Sequence, residues 1–244
     1  MPEVRVYREK LYASYASIQI PGWTESPGKA VQINRRAILH RLRGWLPQSQ
    51  DSTCLDLGCG SGDLILALRS VGFHDVIGVD LGPEQVAIAR SRGVPVVQAN
   101  ILEYLRESDQ TFDLIFAFDV VEHFTKDEVL DLFALIWKHL KPGGRVILQT
   151  PNALSPWGSH LRYNDLTHEL IFGPGCLAST LRMSAFKDVE FRELSPYIHG
   201  FVSAIRWILW QFVRVGYAAV NYIESGWSYG GVYTTNMLAS ALKE

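Results

Sequence analysis

Cysteine is scarce in this chain of 244 residues: Cys54, Cys59 and Cys176 make an odd count with no C-x-x-C pair. That argues against a disulfide framework and against a cysteine zinc site, and it agrees with a reducing, cytoplasmic setting. Charge of one sign is lacking as well. Lys and Arg number 23 against 25 Asp and Glu, a formal net charge of -2. No global field therefore draws the chain to nucleic acid, so DNA is not expected as a partner and RNA is disfavoured. Internal repeats and low-complexity tracts are missing, and Met1–Lys10 lacks the apolar segment of a secretory signal. The most apolar stretch, Phe201–Ile223, is interrupted by Arg206, Gln211 and Arg214, which argues against a spanning helix.

What is present reads as a globular protein: 48% hydrophobic and 20% charged residues, in a chain long enough for one large domain with an elaborated cap. Residues 1–50 form a helical leader. Tyr7, Tyr12 and Tyr15 sit in a short helix, Pro21-Gly22 breaks it, and residues 31–46 repeat Val31, Ile38, Leu42 and Trp45 at helical spacing before Pro47. From Thr53 short apolar strands alternate with helices. Strands are expected at Thr53–Leu57, Val76–Asp80, Val94–Gln98, Phe112–Phe118 and Arg145–Thr150, with helices at Asp63–Val71, Pro83–Arg92 and Lys126–Leu140. Leu114-Ile-Phe-Ala-Phe118 is apolar throughout, as a strand covered on both faces requires. A helix near Gly175–Arg182 and strands at Val189–Leu194 and Tyr233–Leu242 complete the pattern. The fold class is doubly wound α/β with a mostly parallel seven-stranded sheet. The organisation is a leader (1–50), an α/β core (51–195), an aromatic helical insertion (196–231) and a last core strand (232–244).

Leu55-Asp-Leu-Gly-Cys-Gly-Ser-Gly-Asp63 joins the first strand to the first helix. Gly58, Gly60 and Gly62 permit positive φ and close approach of a ligand to the backbone. The spacing is G-x-G-x-G and not the dinucleotide G-x-G-x-x-G, and no Walker lysine follows. Asp56 sharpens the choice: a carboxylate before the loop repels a pyrophosphate but favours an ammonium group. Cys59 inside the loop is a packing choice and not a nucleophile. Asp80 ends the second strand, where an acid can hold ribose hydroxyls.

At these residues the sequence resembles the class I S-adenosylmethionine-dependent methyltransferases, over roughly residues 50–195. The matching pieces are Leu55–Gly62, Val79-Asp80, Gln98-Ala-Asn100-Ile101, Phe112–Phe124 and Leu140–Ile147. The resemblance implies S-adenosylmethionine as cofactor, bound by Asp56, Gly58, Cys59, Gly60 and Gly62, by Asp80 and Leu81 on the ribose side, by Asn100 and Ile101 on the adenine side, and by Phe118. Asn100 stands where the family usually has Asp; an amide can still donate to the adenine ring and accept from its amino group.

Phe118-Asp-Val-Val-Glu-His-Phe124 follows the fourth strand, and Asn164-Asp-Leu-Thr-His-Glu169 lies after the fifth. A helix at the first would put Asp119, Glu122 and His123 on one face. Two chemistries are open. His123 or His168 acts as general base on an acceptor hydroxyl, with Asp165 or Glu122 orienting it. Alternatively Asp119, Glu122, His123 and His168 hold a divalent metal, which is not the expected outcome. The latter resembles the Glu-x-x-Glu-His plus distant His set of metal-dependent ribose 2′-O-methyltransferases and ubiquinone-biosynthesis O-methyltransferases, with Asp119 replacing the first Glu. A structural role for Glu122-His123, capping a helix, is the third reading.

In Phe201–Ile223, Ser203, Arg206, Trp210 and Arg214 share one helical stripe, with Ile205, Leu209 and Phe212 opposite. This helix is read as a cap over the pocket, a homodimer interface, or a peripheral in-plane membrane contact. The loop Glu224–Gly231 after it is expected near substrate. Thr150-Pro-Asn152 and Asn164–Glu169 are similar to bacterial methyltransferases of cell-surface glycan and secondary-metabolite pathways. The expected function is O-methylation of a small-molecule, glycan-linked or lipid-linked hydroxyl. The alternatives are a metal-dependent RNA ribose 2′-O-methyltransferase and a non-catalytic cofactor-binding scaffold.

Overall fold

The computed structural model describes residues 11–12, 29–226 and 231–244. Tyr7, Tyr15, the Pro21-Gly22 break, the side chain of Val31 and residues 227–230 of the expected substrate loop lie outside the described residues. The elements run α1 (Lys29–Arg41), β1 (Cys54–Leu57), α2 (Asp63–Arg69), β2 (Val76–Asp80), α3 (Pro83–Ser91), β3 (Val96–Gln98), α4 (Ile101–Glu107), β4 (Phe112–Phe118), α5 (Lys126–His139), β5 (Leu140–Pro151), α6 (Ser159–Tyr163), α7 (Pro174–Met183), β6 (Lys187–Glu193), α8 (Phe201–Ser225) and β7 (Asn236–Leu242).

The seven strands form one sheet in the order β3-β2-β1-β4-β5-β7-β6. All neighbouring pairs are parallel except those of β7, which runs antiparallel to both β5 and β6. Every residue of β1 is buried, as are Leu114 to Ala117 of β4. The two faces of the sheet feed two apolar clusters. One is built around Phe133, Leu132 and Ile136 of α5, the other around Ile65 and Leu68 of α2 with Leu42 and Trp45. Helix α5 is started by a capping box in which Thr125 and Glu128 satisfy each other's backbone amides.

Several boundaries differ from the expectations, each for a local reason. Helix α1 stops at Arg41 and not at residue 46, because the chain turns through Gly44 at φ 75°; Leu42 and Trp45 are nevertheless buried. Strand β5 begins at Leu140, five residues early. Leu140 pairs with Phe112, the register then shifts, and pairing resumes at Arg145 opposite Leu114. Helix α4 was not anticipated; Asn100 starts it as N-cap, its Oδ1 accepting from Leu102 N at 2.9 Å and Glu103 N at 3.4 Å.

Helix α8 interrupts what would be a β6–β7 hairpin. Ser203 is its only buried residue, its Oγ accepting from the amides of His199 at 2.8 Å and Gly200 at 2.9 Å. Trp210 and Tyr217 meet the Trp157 ring, with centroids 6.1 and 5.4 Å away, and Trp210 Nε1 donates to Glu193 Oε2 at 3.3 Å. Arg214 Nε lies 2.8 Å from the same oxygen as an ion pair. Of the expected stripe, Ser203, Trp210 and Arg214 turn toward the protein while Arg206 is exposed. No described helix is long and apolar enough to cross a membrane.

Candidate active site

Strands β1 and β4 are neighbours whose crossovers depart in opposite directions, so a crevice opens at their carboxyl ends, where ligands bind in folds of this kind. The turn after β1 is shaped for that position. Gly58 has φ 69°, and a Cβ there would collide with Val120 Cγ2, so a side chain is excluded twice over. The amides of Gly58 and Cys59 both donate to the Val79 carbonyl, at 2.8 and 3.1 Å, which ties the loop to the end of β2. Cys59 itself is buried, its Sγ filling the space beside Gly78; burial pushes its thiol well up, so it is inert packing.

A cavity of ≈ 320 Å³ lies in the crevice. Its lining includes Asp56, Gly58, Cys59, Gly60, Phe118 and Asp119 of the expected residues, and adds Arg41, Gln85 and Gln149. Asp56 is 2% exposed, and no hydrogen-bond donor reaches its carboxylate among the described residues. Burial first, and then the neighbouring Asp80 charge, hold its carboxyl well above the usual range. Arg41 also lines this cavity, and its Nε is buried without a hydrogen-bond partner. A buried acid and a guanidinium on one cavity suit the two ends of an α-amino acid. The residues therefore fit the amino-acid part of S-adenosylmethionine.

The remaining expected cofactor residues lie just outside this lining. Asp80 Oδ2 accepts from Gly60 N and its Oδ1 from Gly82 N, both at 2.8 Å; burial raises its carboxyl, and those two amides pull it back. Asp80 thus braces the loop, with lone pairs left over for ribose hydroxyls. Asn100 Oδ1 accepts the two amides of the α4 cap, and its Nδ2 is the donor that the side chain has besides. Leu81 is exposed at the end of β2, Ile101 half-buried at the start of α4, and Gly62, at φ 81°, packs beside Val94.

The segment after β4 is not the regular helix the spacing suggested. Asp119 sits at φ 53°, a left-handed conformation that Asp tolerates better than most residues, and only a single 3₁₀ turn, Val121–His123, follows. The three side chains therefore do not share one helical face. Asp119 Oδ2 accepts from Gln149 Nε2 at 2.7 Å at the cavity wall. Glu122 turns into the protein, fully buried, where Thr150 Oγ1 donates to its Oε2 at 3.1 Å and Oε1 has no partner; burial, then the Asp119 charge, raise its carboxyl. His123 points toward the Asn164–Glu169 segment.

There the two histidines meet, ring centroids 4.8 Å apart. Thr167, which sequence reasoning overlooked, joins them to Asp165. Its Oγ1 lies 2.8 Å from His123 Nδ1 and donates to Asp165 Oδ1 at 2.6 Å, while Thr167 N donates to the same oxygen at 2.8 Å. The Asp-x-Thr spacing of an Asx-turn was the available signal. His168 Nδ1 is 2.7 Å from the Leu161 carbonyl, which can only accept, so in the neutral ring Nε2 is the unprotonated nitrogen. Asp165 Oδ2 stands 3.9 Å from that Nε2. Burial, then the His168 charge, lower the His123 pKa to about 4, against the opposing pull of Asp165 and the Thr167 and Asp119 carbonyls. The Tyr12 ring meets His123 edge-on at 6.3 Å, bringing a leader residue to the site. Ligand atoms of Glu122, His123 and His168 lie within 4.8 Å of one another, a group that omits Asp119 from the four-residue metal set.

A seven-stranded sheet with one reversed strand, a glycine turn after β1 and an acid closing β2 define a class of proteins that bind an aminoacyl nucleoside. Residues 31–201 match the family model described as "Methyltransferase domain", and the chain belongs to this family of S-adenosylmethionine-dependent methyltransferases. A ubiquinone biosynthesis O-methyltransferase of Xylella fastidiosa is 31% identical over 219 residues, covering 78% of this chain and 84% of the relative. One of the same description from Aliivibrio fischeri is 32% identical over 104 residues, 40% of this chain and 43% of the relative. A cyclopropane-fatty-acyl-phospholipid synthase of Escherichia coli is 28% identical over 137 residues, 56% of this chain and 35% of the relative. The chain thus spans less than half the length of those last two relatives. Among solved structures, a SAM dependent methyltransferase from Archaeoglobus fulgidus superposes with a TM-score of 0.62 at 23% identity, covering 86% of this chain and 94% of that one. The Haloferax volcanii complex of the Trm112 methyltransferase activator with a putative methyltransferase gives 0.65 at 14% identity, covering 95% and 96%. These likenesses establish the fold.

Proposed function

We propose that this chain transfers a methyl group from S-adenosylmethionine to a hydroxyl oxygen of a small-molecule or lipid-linked acceptor. The observation that carries the reading is the Asp165–Thr167–His123/His168 cluster beside the cofactor cavity. When bound, the cofactor supplies a methyl already activated on sulfonium sulfur. The protein's tasks are then to hold both partners in line and to take the acceptor's proton.

Asp56 receives the ammonium end and Arg41 the carboxylate end, while Asp80 holds the ribose. His168 Nε2 accepts the hydroxyl proton as the oxygen forms its new bond to carbon. The resulting imidazolium keeps its Nδ1–H on the Leu161 carbonyl and gains the Asp165 carboxylate as counter-charge. His123, kept neutral by burial and fixed through Thr167, does not compete for that charge. The Xylella fastidiosa relative, described as an O-methyltransferase, supports oxygen over nitrogen as the acceptor atom.

Calorimetric titration with S-adenosylhomocysteine, followed by transfer of labelled methyl to panels of phenolic and sugar hydroxyls and of amines, tests the reading. Absence of cofactor binding, or transfer to amines alone, would sink it. A second reading is favoured by one observation, the convergence of Glu122, His123 and His168 with each histidine Nδ1 held by an oxygen, as metal-bound imidazoles commonly are. In it a divalent ion on those three side chains would supply Lewis acidity to the acceptor oxygen. Turnover abolished by chelator and restored by a divalent metal selects this reading; turnover indifferent to chelator selects the histidine base.

A further inference from the structure

Helix α8 is amphipathic the wrong way round for a surface helix of a soluble domain. Its polar and aromatic stripe, from Ser203 through Trp210, Arg214 and Tyr217 to Asn221, faces the protein. The opposite side carries Phe201, Ile205, Leu209, Phe212, Val220 and Ile223 into solvent, with Phe201 and Ile223 each 82% exposed. Laid out at 3.6 residues per turn, the outward half, from Tyr222 round to Val213, contains no charged residue. Arg206, Glu224 and Gln211 fall just beyond its edges, and Trp207 lies further round toward the protein.

Trp207 also lines a second cavity, of ≈ 860 Å³, between the end of α1 and the segment after β6. Arg43 and Arg192 supply its charge, with Arg41 shared with the cofactor cavity; burial, then Arg43 and Arg41, lower the His40 pKa and so favour its neutral ring. Its one acid, Glu193, is engaged by Arg214, Trp210 and the Tyr233 amide. Arg192 is fixed in place: its guanidinium lies 3.7 Å over the Trp45 ring and donates to the carbonyls of Arg41 at 2.9 Å and Arg43 at 2.6 Å. An apolar half-cylinder thus adjoins a built cationic pocket, with Trp207 at the seam.

We infer that α8 and this pocket form a docking surface for an anionic lipid bilayer, the helix lying in the interface plane and Arg43 and Arg192 receiving lipid phosphates. Two quantities favour lipid over a second copy of the chain. A helix of 25 residues is about 37 Å long. A seam about 10 Å wide along it covers on the order of 400 Å² per copy, about 800 Å² over both copies, below the roughly 1,200 Å² in total that stable interfaces bury. A pairing seam also uses a narrow stripe, whereas the bare face here spans half the helix circumference, as immersion in a lipid interface requires. The basic pocket supplies the charge complement of acidic headgroups. The inference is independent of which acceptor the methyl reaches.

Co-sedimentation of the full chain with phosphatidylcholine vesicles, with and without phosphatidylglycerol, is the test. Binding is expected to the anionic vesicles and to weaken with salt. Ile205→Asp/Phe212→Asp, both at exposed positions, should lower partitioning about tenfold or more while leaving S-adenosylhomocysteine affinity unchanged. Arg43→Glu should reduce binding of anionic vesicles to the level of neutral ones. Pelleting no greater with anionic vesicles than without vesicles overturns the proposal, as does undiminished binding by the double variant. So does a stable dimer that Phe212→Asp dissociates, in a chain that ignores vesicles.

Discussion

Replacing Asp56 with asparagine should move folding stability and cofactor affinity in opposite directions. In the folded chain this carboxyl is 2% exposed, receives no hydrogen bond among the described residues and sits near Asp80. Its pKa is raised, so the folded state holds the proton more tightly than the unfolded chain does. Stability is therefore greatest below the unfolded carboxyl value and falls as pH rises toward the raised folded value. Relief of a buried, unsatisfied group is worth about 1 kcal/mol or more. For a chain of this size each kcal/mol adds about 2–4 °C to Tm. The same change removes a charge-assisted bond to the cofactor's ammonium, worth about 1.5–3 kcal/mol, or roughly 10- to 150-fold in Kd. Cofactor binding should also release a proton in the window above the unfolded carboxyl value, and Asp56→Asn should abolish that release. Differential scanning fluorimetry without ligand and calorimetry in buffers of differing ionisation enthalpy read both arms. A variant that loses stability and affinity together, or that keeps full affinity, refutes the assignment of Asp56 as an unpartnered carboxylate waiting for a cation.

Other outcomes follow from the same geometry. His168→Ala should lower kcat by about 10²–10⁴-fold while S-adenosylhomocysteine affinity stays put; a loss of only a few-fold would remove His168 from proton transfer. Thr167→Val should slow turnover by about tenfold, and Thr167→Ser should restore it, because the hydroxyl linking Asp165 to His123 returns. Equal activity of the Val and Ser variants would make Thr167 mere packing. Gly58→Ala meets both a positive φ and Val120, so a loss of about 1–3 kcal/mol is expected by urea denaturation, together with weakened cofactor binding. At Asp113, desolvation raises the carboxyl, but bonds from Lys141 and Thr53 outweigh it and the net pKa is depressed. The contribution of this partly exposed pair, at most about 1 kcal/mol, is present above the unfolded carboxyl value and disappears as pH falls through the lower folded value. Lys141→Met should flatten that acid limb.

The glycine turn after β1 and the acid that closes β2 were legible because their shape and charge are written in adjacent residues. Glycines at 58, 60 and 62, an acid before them and another at the next strand end are local requirements of backbone shape and charge. The stripe of α8 was legible in part, since 3.6-residue spacing orders Ser203, Trp210 and Arg214, whereas its direction was not and Arg206, read into it, is exposed. What escaped notice depends on tertiary meetings. Arg41 reaches the cavity only because α1 ends where it does, and Gln149 matters only because β5 lies beside β4. Asp119 broke the expected helix through a left-handed backbone angle that no periodicity encodes. The N-cap role of Asn100 also escaped notice, because the helix it begins is too short to show a pattern.

The position of α8 within the chain also bears on the order in which the sheet is assembled. Strand β6 touches the sheet only through β7, yet α8 and its flanking loops separate the two by about 40 residues, a separation of the kind that slows pairing. During synthesis β6 must wait, one edge bare, until β7 emerges and slots between it and β5. Meanwhile the unpaired edge of β5 and the apolar side of α8 are exposed together. A nascent chain at that stage offers two adhesive surfaces at once, and early engagement of α8 by a bilayer would shield one of them while the last strand arrives.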